Sequence, residues 1–295
     1  MATRTIHLRF PRLPSGLACY PRVVLTRRPD LLSVGEPPSF ELRVDKVRID
    51  AAQLSRYATT CGFDSADVRN GCVPVTYPHL IAMPLHLRIM SMASFPLRPM
   101  GLIHLSNVIG TSGELRPGAD LDLVVCARNY RKTDAGLAFD MDTEISQQGQ
   151  PVWRETCVFL SRWPDSVQRT GARPPRPPRA PKDSKVLAEF DVGLQTAWSY
   201  ARVASDFNPI HLNDRAARFF GLRGAIAHGM WSLARSLAER PVDNPAPNAQ
   251  LHTQFLTPVQ LPARVNIKQW SEEGVAKRAM CDVRTGRVHM YAHWA

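Results

Sequence analysis

The segment Ala-Ser-Asp-Phe-Asn-Pro-Ile-His, at positions 204–211, is the most informative stretch of the sequence. Pro209 disfavours a helical conformation at the preceding residue, Asn208, so the segment predicts an irregular loop between two helices. Asp206 and His211 both lie on this loop. A carboxylate and an imidazole held together can share a water molecule and act as general base and general acid near neutral pH. The segment therefore indicates chemistry in which water is added or removed.

A second motif, Ala-His-Gly-Met, occupies positions 227–230. The apolar periodicity after it predicts a long helix from Gly229 to Arg240, which Pro241 ends. Gly229 would then lie at the helix N-terminus, where backbone amides lack partners and the helix dipole is positive. Its amide is a candidate donor to a developing oxyanion. Without a Cβ, this residue would also let a ligand carbonyl approach the backbone closely.

Each motif taken alone also has a purely structural interpretation. Asp, Asn and His beside Pro are common capping and turn residues, and an isolated His228 is typical of a packed or capping histidine. The two motifs occur together, with His211 and His228 17 residues apart. Their conjunction favours the chemical interpretation.

A regular set of elements is predicted around the two motifs. A strand and then a helix capped by Thr196 lead into the first motif, and a short helix separates it from the second. Four strands with period-two apolar patterns follow, with hairpin turns at Gly274 and Gly286. The predicted bounds are 186–192, 250–257, 263–271, 275–283 and 287–294 for the strands, and 196–204, 213–220 and 229–240 for the helices.

The same order of elements is predicted earlier in the chain. Superposing Tyr57 on Tyr200 aligns the first helices of the two halves without a gap and places Gly62 opposite Ser205. Because each half has a strand, a helical insert and an antiparallel sheet, the fold class is α+β, with the same layers present twice. The predicted bounds in the first half are 41–49, 102–109, 121–130, 137–146 and 151–161 for the strands, and 50–61 and 80–92 for the helices.

A proline-rich segment at 164–185 separates the halves. It holds six prolines and six basic residues, which predicts a stiff, solvated spacer of the polyproline type. A ligand for a proline-recognising domain is the alternative, because a P-x-x-P pattern lies next to arginine. The predicted domains are therefore 1–163 and 186–295, joined by this linker.

Composition narrows the class of protein. The chain has 295 residues, 44% of them apolar, which suffices for about two domains and excludes a disordered or fibrous protein. Its longest weakly charged stretch, 73–85, is shorter than the roughly 20 residues of a membrane helix. Arg4, Arg9 and Arg12 interrupt the position of a secretory signal, so we expect a cytoplasmic protein. The six cysteines are scattered, which predicts neither a disulfide framework nor a structural metal.

The formal charge of +11 favours an anionic partner. The basic residues are spread along the chain and no nucleic-acid module is recognisable, so nucleic acid is not expected. A phosphate-bearing small molecule or an acidic carrier protein fits as well. Three arginines flank the short helix between the motifs and are candidate phosphate partners, namely Arg215, Arg218 and Arg223.

The two motifs resemble the signature of MaoC-like, type 2 (R)-specific enoyl-CoA hydratases and dehydratases, S-G-D-x-N-P-[ILV]-H followed by H-G-M. Residues 255–262, Phe-Leu-Thr-Pro-Val-Gln-Leu-Pro, are similar to the family's F-x-x-P-V-x-L-P stretch. The resemblance is strong over 195–265, and the first half resembles the degenerate repeat of double-hotdog members. Ser205 departs from the family's glycine, and its side chain would crowd the substrate or bond to Asp206.

The resemblance implies a double hotdog, in which each half is an antiparallel sheet wrapped round a long central helix. It makes Asp206 and His211 a catalytic dyad, with Asn208 orienting the loop and Gly229 as oxyanion donor. The implied reaction is reversible hydration of a trans-2-enoyl thioester to an (R)-3-hydroxyacyl thioester, with no cofactor beyond the CoA or acyl-carrier protein of the substrate. The first half has no such motif, since Phe63 lies opposite Asp206, and would shape the acyl-chain pocket.

Two other functions and two other properties remain open. A hotdog thioesterase needs an acid on the long helix, where Glu239 near its far end is the only one. A non-catalytic acyl-thioester binding module has only Ser205 in its favour. Substrate contacts are expected at Ser205 and His228 as well as at the three arginines. Either a monomer or a homodimer is compatible with two hotdogs in one chain, and the acyl chain length is not determined.

Overall fold

The computed structural model describes residues 4–25, 37–163, 179–239 and 249–295. Eleven strands in this part of the chain form one continuous sheet. In chain order they are β1 (Thr5–Phe10), β2 (Ser39–Val47), β3 (Ile103–Thr111), β4 (Leu121–Thr133), β5 (Gly136–Gln147), β6 (Gln150–Arg162), β7 (Lys185–Val192), β8 (Gln250–Phe255), β9 (Ala263–Glu272), β10 (Val275–Asp282) and β11 (Val288–Trp294).

The helices pack on one side of this sheet. They are α1 (Tyr20–Leu25), α2 (Ala51–Cys61), α3 (Ser65–Arg69), α4 (Pro78–Ser91), α5 (Leu194–Ala204), α6 (Pro209–Leu212), α7 (Asp214–Phe219) and α8 (Gly229–Ala238). Asp50 caps α2 as its sequence pattern predicts, accepting hydrogen bonds from the amides of Ala52 and Gln53 at 2.8 and 3.0 Å. One apolar core cluster runs through both halves.

The strand order shows two copies of one arrangement. The order is β1-β2-β4-β5-β6-β3-β8-β11-β10-β9-β7. With β1 set aside, each half has five strands, and outward from the central pair, β3 and β8, they follow as second, fifth, fourth, third and first. Strand β1 is an additional strand at the edge beyond β2. The central pair is antiparallel, with Asn107 opposite Thr253 and Val108 opposite His252. The repeated α+β architecture, a double hotdog, is therefore confirmed.

Each long helix packs on strands of its own half, α4 on β2, β4 and β5 and α8 on β10 and β11, and helices α2 and α5 contact each other. Ten residues of α4 are buried, as expected of a helix enclosed on most sides. The rings of Tyr57 and Tyr200 are both buried, with centroids 6.4 Å apart. The residues that align the two halves in sequence thus face each other across the centre of the molecule.

Some predicted bounds were wrong in informative ways. Helix α5 begins at Leu194, not Thr196, because Gly193 caps it and its carbonyl accepts the amides of Thr196 and Ala197. Strand β1 was not predicted at all, although its residues alternate in burial. It pairs parallel with β2 at the sheet edge.

The linker prediction falls mostly outside the described residues, which omit 164–178. Strand β6 ends at Arg162 and β7 begins at Lys185, the last residue assigned to the linker. The long helix was predicted to run to Arg240, but α8 ends at Ala238, because Glu239 already has an extended backbone with φ −70° and ψ 118°. Arg240 and Pro241 themselves lie outside the described ranges. Within those ranges, no helix has the length and apolar character needed to cross a membrane.

Candidate active site

The loop between α5 and α7 is shorter and more ordered than its sequence predicts. Ser205 ends α5 in a left-handed conformation, with φ 55° and ψ 25°. Asn208 is not helical, as expected before proline, but Pro209 then occupies the first turn of α6, where its fixed φ fits and its missing N–H costs nothing. The Asn208 side chain accepts the amide of Ile210 at 3.4 Å. His211 therefore lies on a short helix and is not on an irregular loop.

Asp206 presents its carboxylate to a cavity. Its Oδ1 accepts the Asn208 amide at 3.2 Å, and the side chain keeps 23% of its exposure. Burial alone would raise the pKa of Asp206, but the neighbouring imidazoles of His228 and His211 and the Asn208 amide outweigh burial and lower it. Asp206 is therefore ionised at neutral pH.

His211 is neutral, and the backbone engages one of its two ring nitrogens. Its Nδ1–H donates to the Ile226 carbonyl at 2.9 Å, which leaves the Nε2 lone pair as the reactive position. Burial lowers the pKa of His211, although Asp206 and the Ile226 carbonyl oppose this. Its ring stacks on His228 with centroids 3.8 Å apart. His211 can therefore accept a proton at neutral pH.

His228 and Gly229 complete the wall beside the dyad. The Nε2–H of His228 donates to the Asp206 carbonyl at 3.1 Å, so this histidine fixes the backbone of Asp206. Gly229 is the first residue of α8 and its amide has no acceptor within the helix. A Cβ at this position would lie 3.1 Å from the Phe255 ring, which is closer than a side chain normally packs. A side chain at position 229 would therefore require the Phe255 ring to shift by a few tenths of an ångström.

Distance alone would let three of these groups hold a metal ion. Asp206, His211 and His228 each offer a ligand atom within 4.8 Å of the others. The Nε2–H of His228, however, is engaged with the Asp206 carbonyl. Only Nδ1 of His228, which has no hydrogen-bond partner among the described residues, is therefore left to serve as its ligand atom.

Sequence reasoning missed Tyr20, which comes from α1, before the first repeat. Its hydroxyl accepts the Phe207 amide at 2.6 Å and donates to the Ser205 carbonyl at 3.1 Å, so it holds the chain on both sides of Asp206. No motif marks Tyr20, because its partners lie about 185 residues away. Only the tertiary fold brings it to the site.

Ser205 does not take the place expected for a substrate contact. Its side chain is absent from the described cavity wall and instead lies near Gly16, where an added Cβ would be 3.7 Å from the Ser205 Cβ. A contact between Ser205 and the substrate stays a prediction. The Ser205 carbonyl accepts the hydrogen bond from the Tyr20 hydroxyl.

The cavity has a volume of about 600 Å³, and residues of both halves line it. Asp206, Asn208, His211, His228 and Gly229 line it on one side. From the first half come residues of α1, α4, β6 and the segment leading into β3, among them Tyr20, His79, Met83, His86, His104 and Phe159.

The three candidate arginines lie beside the cavity and do not line it. Phe220 and Leu222, which follow α7, do form part of its wall. The Arg218 Nε–H donates to the Arg223 carbonyl at 3.2 Å, so these two residues are neighbours on the surface. Their contact with a phosphate stays a prediction.

Buried histidines make stability depend on pH. Burial lowers the pKa of His86, His104 and His228 to about 3. A histidine whose pKa is lowered by folding binds fewer protons in the folded protein than in the unfolded chain. Its contribution to the free energy of unfolding is therefore complete above pH 6.5 and is lost as the pH falls toward the pKa of the folded state. The raised pKa of His79 offsets part of the loss. We expect the free energy of unfolding to fall by about 5 kcal/mol between pH 7 and pH 5. Urea titrations at both pH values test this, and equal stabilities would contradict it.

Comparison with known proteins gives concordant similarities. The MaoC like domain family matches residues 169–292. The chain is similar to 3-hydroxyacyl-thioester dehydratase X of Mycobacterium tuberculosis, with 30% identity over 283 residues, 95% of this chain and 97% of the relative. A crystal structure of HtdX from the same organism superposes with a TM-score of 0.71 at 27% identity, covering 86% of this chain and 98% of that one. The MaoC-like dehydratase of Phytophthora capsici has the same fold, with a TM-score of 0.67 at 16% identity over 90% of this chain and 97% of that one.

Proposed function

The chain belongs to the MaoC-like dehydratase family, and from that membership we propose that it is a hydro-lyase. It catalyses the reversible hydration of trans-2-enoyl thioesters to (R)-3-hydroxyacyl thioesters. The observation that carries this proposal is the convergence of the Asp206 carboxylate, His211 and the Gly229 amide on one cavity. Two groups able to exchange protons and a candidate oxyanion donor on one cavity wall support the proposal.

The charge states of the dyad define a route for the proton. Water donates one hydrogen bond to the ionised Asp206 and the other to the neutral Nε2 of His211. His211 accepts a proton as the water oxygen forms its bond to C3, and the π electrons of the C2–C3 bond move toward the thioester oxygen. The Gly229 amide stabilises that oxyanion.

Return of the proton completes the addition. The imidazolium of His211 delivers it to C2 on the same face, so water adds syn and the enzyme returns to its starting state. The thioester itself acidifies the α-carbon, so the proposed reaction needs no metal or redox cofactor. Dehydration runs through the same steps in reverse.

A thioesterase fits the described cavity less well. The acid that hydrolysis requires would have to come from α8, whose one nearby candidate, Glu239, follows its C-terminus and pairs with Arg235. Glu239 is not among the described residues that line the cavity. No acid of α8 is therefore placed against the thioester carbonyl.

Incubation with crotonyl-CoA tests the proposal. Loss of the enoyl absorbance without release of free thiol is the expected result. Release of thiol would instead indicate a thioesterase, and binding without turnover would indicate an acyl-thioester binding module. Either of those outcomes would overturn the assignment.

The carrier group of the substrate supplies a further prediction. CoA and acyl-carrier protein both bring phosphate, and we propose that Arg215, Arg218 and Arg223 attract it. A phosphate contact made equally in the ground and transition states affects KM and not kcat. Replacing Arg223 with Ala should raise KM for an enoyl-CoA by about 3- to 10-fold at low salt, with a smaller penalty at high salt.

A matched control for this prediction is Arg154→Ala. Arg154 is also exposed, but it pairs with Glu144 on the sheet of the first half. KM should be unchanged in this variant. An unaltered KM in single variants at Arg215, Arg218 and Arg223 alike would place the phosphate site elsewhere.

A further inference from the structure

The first half contributes a buried charged pair to the wall of the cavity. His79, the second residue of α4, is 3% exposed and its Nδ1–H donates to Glu155 Oε2 of β6 at 2.8 Å. Asn107 donates to the other oxygen, Oε1, at 2.6 Å. The Glu155 carboxylate is therefore held from two sides, by His79 and Asn107.

The pair is ionised. Burial would lower the pKa of His79, but the adjacent Glu155 carboxylate outweighs burial and raises it. The same pairing outweighs the opposite effect of burial on Glu155, whose pKa falls to about 2. His79 therefore carries hydrogens on both ring nitrogens near neutral pH.

One edge of this imidazolium has no protein partner. Nδ1 is used by Glu155, and no acceptor for Nε2 occurs among residues 4–25, 37–163, 179–239 and 249–295. His79 lines the cavity that Asp206 and His211 also line. Its Nε2–H is therefore the group available to a molecule in that cavity.

Such a pair is not what a pocket for a plain alkyl chain requires. Taking two charges out of water costs several kcal/mol, and apolar residues of similar volume are often as stabilising or more so. The remaining apolar residues on the same face of α4 are Met83, Leu87 and Met90, which suit a hydrocarbon chain. An alkyl chain passing His79 would leave a charged N–H without an acceptor, at a penalty.

A metal ion is not the missing partner. His79, Glu155 and Cys157 lie within 4.8 Å of one another. The amide nitrogen of Asn107, however, donates hydrogen bonds to both Glu155 and the Cys157 sulfur. Hydrogens therefore point at the space that a cation would need.

We propose that His79 is a specificity-determining residue, whose Nε2–H donates a hydrogen bond to an oxygen atom carried on the acyl chain of the substrate. The preferred substrates are then enoyl thioesters with a hydroxyl or carbonyl oxygen along the chain. The oxygen is neutral, because the pair with Glu155 has no net charge and the ionised Asp206 on the same cavity repels a carboxylate. This inference rests on the proposed hydration activity.

The test compares substrates that differ only in one oxygen. The reference is the straight-chain trans-2-enoyl-CoA of six to twelve carbons that the protein hydrates fastest. Derivatives of this reference, each carrying one hydroxyl at a different carbon from the fifth onward, are positional isomers of one another. Each is compared with the reference by kcat/KM. We expect one isomer to exceed the reference by about 10- to 100-fold. The analogue ending in a carboxylate should fall below the reference.

Variants identify the group responsible. The double variant His79→Leu with Glu155→Leu removes both charges together, and His79→Asn keeps an N–H toward Glu155 while removing the Nε2 edge. Either variant should abolish the preference for the hydroxylated isomer while still hydrating the reference. Met83→Leu, one turn along α4, is the matched control and should retain the preference.

The outcomes separate this inference from the proposed function. Hydration of the reference with no hydroxylated isomer preferred would overturn the role of His79 and leave the hydro-lyase assignment intact. A preference that persists in His79→Asn would also overturn it. Absence of hydration with every enoyl-CoA, crotonyl-CoA included, would refute the proposed function itself.

Discussion

Replacing Asp206 with Asn should lower kcat for crotonyl-CoA hydration by about 100- to 10,000-fold, because the carboxylate that holds the attacking water and stabilises the His211 imidazolium is lost, so that general acid–base catalysis by His211 fails. The amide oxygen of Asn can still accept the Asn208 amide that Asp206 Oδ1 accepts at 3.2 Å. The charge and the second proton acceptor are lost. Because Asn has nearly the shape of Asp and keeps the bond to the Asn208 amide, the variant should fold with at most a modest loss of stability. Steady-state kinetics with thermal unfolding on the same sample measure both effects.

For His211 the same test needs a substitution that disturbs the packing and the backbone hydrogen bond less than Ala does. The side chain is 9% exposed and donates to the Ile226 carbonyl at 2.9 Å, so His211→Ala would leave a void and an unpaired carbonyl. His211→Asn keeps an N–H near the position of Nδ1 and removes Nε2. We expect a loss of activity similar to that of Asp206→Asn.

His252→Gln is a suitable control for the dyad variants. His252 lies on β8, does not line the cavity and pairs with His293 of the neighbouring strand. This variant should keep wild-type turnover. Near-wild-type turnover in either dyad variant would show that the dyad assignment is wrong.

Expression of residues 183–295 alone should give insoluble or self-associating protein. The cut removes β3, and the edge of β8 that pairs with it would expose unpaired backbone groups along five residue pairs. It also uncovers apolar surface, since Tyr200 loses Tyr57 and the Trp231 indole loses the Thr60 carbonyl it donates to at 3.3 Å. The fragment would lack Tyr20 as well.

Size-exclusion chromatography and crotonyl-CoA kinetics measure the outcome. Co-expression of residues 1–163 is the informative control, since a second fragment that supplies β3 and α2 should restore soluble protein. A soluble, active monomer of 183–295 alone would contradict the requirement for the first half.

Local patterns were sufficient to predict most of the architecture. The Asp50 cap, the strands and the turn at Glu273 and Gly274 depend on neighbouring residues, and both turn residues have the positive φ that such a hairpin needs. The recurrence of the pattern in each half then gave the repeat. Information of this kind is present in any short window of the sequence.

The parts that were missed depend on distant residues. Tyr20 reaches the Asp206 loop from the other half, and the pair of His79 and Glu155 joins positions 76 residues apart. The burial of His211 follows from its stack on His228, which no spacing rule predicts. The Asp206 and His211 motif could be identified because its members are close in sequence.

The join between β3 and β8 places two similar halves in one polypeptide, and this has an evolutionary consequence. In an assembly of two identical chains every substitution is made in both halves, so a change that helps one pocket must be tolerated in the other. Here the second residue of α4 is His79 and the second residue of α8 is Met230. The cavity therefore has a charged side chain on one side and a thioether on the other. Two identical chains could not differ in this way, whereas two halves encoded in one chain can.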